Sequence, residues 1–180
     1  REVPFGNDGD FSRRAMIHRM NGDLANDLGN LSQRVLSMIF KNCSGVMPAL
    51  PATAAPEDSA LLDAADAMLG KVRAHMDVQS FHEALRCIWE VVSDANKYVD
   101  TTAPWGLKKT DPVRMGEVLA VLAETIRQAA ILVQPVMPGS ASKILDQLGV
   151  ADGQRGFDML AGAGRIAAGV EISKPEPCLL

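Results

Sequence analysis

Along most of this chain apolar residues recur at steps of three and four, the spacing of one face of an α-helix. Ser12 is placed to cap a first helix starting near Arg13. After Asn21, Leu24, Leu28, Leu31, Val35 and Met38 repeat in that rhythm and predict a second helix. Gly22 either divides it from the first or sits inside it. The stretch CSGVMPALPATAAPEDS, from Cys43 to Ser59, is proline-rich and predicts a loop. Asp58 or Ser59 then caps a helix carrying Leu62, Ala65, Leu69, Val72 and Met76. Ser80 caps the next, with Phe81, Leu85, Ile88, Val92 and Val99 on one side. Glu83 at its third helical position predicts a capping box. Pro104 ends that helix, and Pro112 opens a long apolar one over residues 113–132, striped by Val118, Leu122, Ile126, Ala129 and Val133. QPVMPGS breaks it, and a short helix over residues 140–148 follows. The rest is glycine-rich, and GVEISKPEP predicts a short edge strand closed by proline.

The sum is an all-α chain, a bundle of about five helices with an irregular C-terminal tail. Residues 1–11 read as a connector, 12–150 as the bundle, and 151–180 as an extension with a short terminal strand. Composition agrees: of 180 residues 47% are apolar and only 4% aromatic, which favours helix on helix over a sandwich or barrel. A chain of this length buries roughly 70% of its unfolded surface and folds without staples.

Charge and cysteine content narrow the function classes. Cys43, Cys87 and Cys178 are odd in number and never in a Cys-x-x-Cys pair, so free thiols in a reducing cytoplasm are expected. His75, His82 and Cys87 lie near one another in sequence but do not have the paired spacing of a structural zinc site. No metal or other cofactor is expected in this chain. No apolar run approaches the roughly 20 residues that span a bilayer, so no membrane partner is expected. REVPFGNDGDFS has no signal-peptide core and no starting Met, and the chain is expected to be a piece of something longer. The three histidines show no triad spacing with a nucleophile and an acid, which leaves a free-standing enzyme with little support.

The net charge of −4 argues against general nucleic-acid binding, but its distribution does not. Between Phe11 and Lys41, Arg13, Arg14, Arg19, Arg34 and Lys41 face only Asp23 and Asp27. Between Asn96 and Arg114, Lys97, Lys108, Lys109 and Arg114 face Asp100 and Asp111. Local basic patches matter where the global charge does not. On the second helix Asp23, Asn30, Arg34 and Lys41 fall on one flank, away from the leucine stripe. Asn30 and Arg34, four apart, lie one above the other, and an amide beside a guanidinium suits the edge of a nucleobase. The stretch NKYVDTTAPWGLKK sets Trp105 in a turn just past the break at Pro104, ahead of Lys108 and Lys109. An exposed Trp there would stack a single-stranded base while the lysines meet phosphates. A Trp plugging the loop from beneath is the competing reading, as is a solvated helix flank for Asn30 and Arg34.

With these residues in place, the chain resembles the C-terminal part of the bacterial methionyl-tRNA synthetases, a class I aminoacyl-tRNA synthetase family. REVPFGNDGDFS is similar to the stretch leading out of the catalytic half, NGDLANDLGNLSQR to the first anticodon-domain helices, NKYVDTTAPWGLKK to the Asn-x-Tyr…Pro-Trp element, and KPEP to the closing strand. The resemblance covers essentially the whole chain. It implies a helix-bundle domain that binds the CAU anticodon of methionine tRNA, with Asn30 and Arg34 reading bases and Trp105 stacking one. It also implies a cytoplasmic ligase in which the catalytic domain of the same enzyme is a partner. ATP, methionine and possibly zinc would serve the full-length enzyme. The signatures His-Ile-Gly-His and Lys-Met-Ser-Lys-Ser and the zinc-binding cysteine pairs do not occur here, so this chain is expected to bind and not to catalyse. After KPEP the family continues Phe-Pro-Arg, whereas this chain ends Cys178-Leu179-Leu180, leaving open how the closing strand docks. Two alternatives remain: the anticodon domain of another class I synthetase, and a helical protein-interaction domain.

Overall fold

In the computed structural model residues 5–9, 12–19, 22 and 27–177 are described. Their helices are α1 (Arg13–Arg19), α2 (Asn30–Asn42), α3 (Pro56–Asp77), α4 (Phe81–Thr102), α5 (Pro104–Thr110), α6 (Pro112–Val133) and α7 (Pro138–Gln147). Two 3₁₀ turns, Asp152–Gln154 and Phe157–Met159, follow. The all-α bundle with an irregular tail is thus as the pattern predicted. Asp23 and the terminal Cys178–Leu180 lie outside the described residues.

The centre of the bundle is α6, which touches α2, α3, α4, α5 and α7. Its mostly apolar sequence predicts a stripe, yet every residue from Val118 to Val133 is buried. A helix buried on all sides must satisfy each polar group internally. Thr125 returns its hydroxyl to the carbonyl of Val121 at 2.9 Å. Arg127 forks onto Glu124, with Nε 2.9 Å from Oε2 and Nη2 2.8 Å from Oε1. Gln128 donates to Glu124 and to Asp66 of α3. The same Glu124 accepts from the backbone N–H of Ile166 at 2.9 Å, so the polar cluster also pins the C-terminal extension to the bundle.

Helix ends follow local chemistry, with three departures from expectation. Asp111 caps α6 through the N–H of Arg114 at 2.9 Å, and Pro112 takes the first helical position. Helix α3 starts at Pro56, before the expected caps, because proline suits the first turn and Ala55 ahead of it is extended. Asp58 therefore lies inside that turn and accepts from the N–H of Ala55 at 3.3 Å. The expected Ser80–Glu83 capping box does not form: the Ser80 N–H that Glu83 would accept is already donated to the carbonyl of His75 at 2.8 Å, and Glu83 pairs with Arg86 at 3.1 Å. The terminal strand reduces to one antiparallel bridge, Val46 to Glu171, among the described residues. Its backbone bonds run Met47 N–H to Val170 and Ile172 N–H to Gly45, both 2.8 Å. Gly149, at φ +72°, permits the close approach: a Cβ there would stand 2.5 Å from Cγ1 of Val170. Gln147 then holds the backbone of Glu176 in both directions, at 3.0 and 2.8 Å.

Candidate functional site

The break predicted at Pro104 becomes a change of direction. Ala103 closes α4 in the left-handed region, at φ 43°, and also precedes the first turn of α5. Pro104 is buried at that corner. Trp105 accordingly stands in the first turn of a short helix, a correction to the turn expected from sequence, and it is 53% exposed. The other tryptophan, Trp89, is 7% exposed within α4, as its apolar neighbours predict. Lys108 and Lys109 follow in the last turn of α5, both exposed.

Helix α2 brings Arg34 to the same place. Its guanidinium carbon lies 5.7 Å from the centre of the Trp105 ring, within cation–π range. Its Nη2 lies 3.1 Å from Oδ1 of Asp100, in the last turns of α4. Asn30 is exposed one turn earlier on α2. Two side chains singled out in separate stretches of sequence, Arg34 and Trp105, are therefore in contact, with Asn30 on the same helix and the two lysines on the helix that carries the ring. Asp100 is the residue sequence reasoning passed over. The signal available was its place in NKYVDTTAPWGLKK, where an acid sits among the cations.

A polar triad, with Asp58 buried at its centre, fixes the end of α4. Tyr98 donates to Asp58 Oδ1 at 2.6 Å, and Arg114 Nη2 donates to the same oxygen at 2.7 Å. These bonds tie α4 to α3 and α6. Burial pushes the Asp58 carboxyl up, but the hydrogen bonds from Arg114 and Tyr98 outweigh it and hold the group below its ordinary range. Burial, and then the bond to Asp58, raise the Tyr98 phenol well above its ordinary value. Asn96 adds a bond to the backbone of Asp27 at 3.4 Å, joining α4 to the approach of α2.

The arrangement offers a half-exposed flat ring, a guanidinium and an amide in reach of base edges, and ammonium groups at the rim. Among the described residues no group of three or more His, Cys, Asp or Glu side chains is placed to hold a metal ion, and no helix is long and apolar enough to cross a membrane. The free thiols Cys43 and Cys87 have pKa values raised by burial.

Residues 48–179 match the family described as the anticodon binding domain of methionyl tRNA ligase. A methionine–tRNA ligase of Brucella suis is 51% identical over 178 residues, 98% of this chain and 34% of the relative. One from Rhizobium meliloti is 49% identical over 98% of this chain and 34% of its own length. The crystal structure of apo Mycobacterium tuberculosis methionyl-tRNA synthetase superposes with a TM-score of 0.95 at 47% identity, over all of this chain and 36% of that one. The chain thus spans about a third of the length of the relatives it matches. The helical bundle, the family match over residues 48–179 and relatives about half identical over nearly the whole chain place it in the family of anticodon-binding domains of methionyl-tRNA ligases.

Proposed function

We propose that this domain reads the CAU anticodon of methionine tRNA and so presents that tRNA to the catalytic domain of the same cytoplasmic ligase, which attaches methionine at the expense of ATP. The observation that carries the reading is the contact of Arg34 with the exposed ring of Trp105. A splayed-out anticodon base stacks on the free surface of the ring, while Arg34 and Asn30 address base edges and Lys108 and Lys109 neutralise phosphates. The Arg34–Asp100 pair does not block this. An exposed ion pair is worth about 0–1 kcal/mol, less than the roughly 1–3 kcal/mol of a good bidentate base contact. The domain needs neither metal nor nucleotide of its own. The resemblance to the ligases, the absence of their catalytic signatures and the self-contained core support that view.

Titration with an anticodon stem-loop of methionine tRNA, beside one with an altered anticodon, tests the reading. Arg34→Ala is expected to weaken the CAU stem-loop by about 1–3 kcal/mol and to blur the distinction between the two. Lys108→Ala is expected to weaken both alike and to lower the salt slope by about 1. Identical behaviour of the two variants would overturn the division into base reading and phosphate contact. Preference for the stem-loop of another class I system, or no salt-dependent RNA affinity, would favour the two alternatives respectively.

A further inference from the structure

Trp105 rides on a helix too short to fix its own heading. Helix α5 has seven residues, fewer than the roughly 12–15 at which an isolated helix becomes even marginally stable in water. Pro104 is its buried residue, and Leu107 packs partly against the core. Apolar contact of this kind is non-directional. The chain on either side of α5 is held by polar, directional bonds instead. Tyr98, seven residues before Trp105, and Arg114, nine residues after it, meet on one carboxylate, that of Asp58 in α3. Tyr98 donates to Oδ1 at 2.6 Å, and Arg114 forks across both oxygens, Nη2 to Oδ1 at 2.7 Å and Nη1 to Oδ2. Asp58 is fully buried and is itself fixed. It stands in the first turn of α3, where the helix dipole favours an anion, and accepts from the N–H of Ala55 at 3.3 Å.

We infer that Asp58 is a positioning residue for the anticodon site: by clamping the chain on both sides of α5 to α3, it sets the Trp105 ring against Arg34 of α2. The inference rests on the reading of this domain as one that recognises an anticodon. Ring and guanidinium come from different elements, so their 5.7 Å spacing holds only while the end of α4 and the start of α6 both keep their places. The Arg34–Asp100 pair is too exposed to hold them by itself. A fork onto a carboxylate fixes an angle as well as a distance, and it is roughly twice as strong as a neutral hydrogen bond. Because phenol and guanidinium share one acceptor, movement at either end disturbs the bond that holds the other. RNA then meets a corner already in place, and less ordering is left for binding to supply.

Tyr98→Phe cuts one arm of the clamp and keeps the ring. Arg114→Lys cuts the fork and keeps the charge, so attraction to phosphates is unchanged. Ile144→Val, buried in α7, is the control that lowers stability away from the clamp. The chain has two tryptophans, so 5-fluorotryptophan labelling gives two fluorine resonances, which Trp105→Phe assigns. In the RNA-free domain both clamp variants are expected to shift or broaden the Trp105 resonance and to leave that of Trp89 in place, while Ile144→Val moves neither. Stem-loop titrations follow under conditions where circular dichroism shows each variant folded. Preference for the methionine stem-loop over one with an altered anticodon is expected to fall about five-fold in either clamp variant, the lower end of what one base contact supplies, and to be unchanged in Ile144→Val. A Trp105 resonance that neither clamp variant disturbs would overturn the proposal. So would equal weakening of both stem-loops with the preference intact, because the triad would then contribute stability alone. An unmodified domain that does not distinguish the two stem-loops would instead overturn the anticodon reading, and the fluorine spectra would still decide whether Asp58 holds the corner.

Discussion

Trp105 is held by its neighbours rather than by the core. Pro104 is buried, Ala103 bends the chain, and the ring projects 53% exposed with Arg34 beside it. Trp105→Ala is therefore expected to cost about 1 kcal/mol of stability or less, while stem-loop binding falls by about 1–3 kcal/mol. Trp105→Phe keeps a flat surface and much of the binding. A denaturant melt and a stem-loop titration on both variants check this, and a loss of about 3–5 kcal/mol of stability would mark a buried plug. Asp58 and Tyr98 give stability two pH limbs. Asp58 is held below its ordinary range in the folded state, so its contribution is full above about pH 4 and is lost as pH falls through the depressed folded value. Tyr98 is raised, so its contribution is full below about pH 10 and is lost as pH climbs towards the raised folded value. Urea midpoints against pH are expected to show a shallower acid limb in Asp58→Asn and a shallower alkaline limb in Tyr98→Phe.

Among the elements, α6 departs furthest from its sequence pattern. Its stripe of Val118, Leu122, Ile126, Ala129 and Val133 is real, but the opposite face is also enclosed, by the C-terminal extension. Arg127 reaches the carbonyl of Met159 at 3.1 Å, and Glu124 serves Arg127, Gln128 and Ile166 at once. Removing the carboxylate leaves a buried guanidinium uncompensated. Glu124→Ala is expected to cost about 3–5 kcal/mol and to loosen residues 157–166, read by thermal melting and by amide exchange of that segment. Glu57→Ala, which removes an exposed partner of Arg114, is expected to change stability by no more than about 0.5 kcal/mol. Equal effects of the two would mean that the buried cluster does not hold the extension. The missing Ser80–Glu83 box makes a related point. A local motif forms only when its own groups are free, and the Ser80 N–H is already taken by the carbonyl of His75 at 2.8 Å while Glu83 pairs with Arg86.

Taken whole, the molecule is one helical bundle whose core is continuous from Leu28 to Ile172. A core of that extent holds the fold through burial of apolar surface, so chelation by EDTA is expected to leave the melting temperature unchanged; a large fall would show a metal that the residues give no sign of. The sequence by itself determined the helix count to within the short α5, the buried stripes, the break at Pro104 and the residues of the Trp–Arg corner. Those features are written in spacing, proline position and residue type, all local. Only the tertiary structure decided that Arg34 meets Trp105 and that Asp100 holds it. The same is true of Glu124 and Arg127, which share a buried cluster, and of the tail, which docks by a single bridge at Val46 rather than as a strand. Each of these joins residues far apart in the chain or depends on what encloses a helix. A one-dimensional pattern records which face is apolar, but not which partner packs against it.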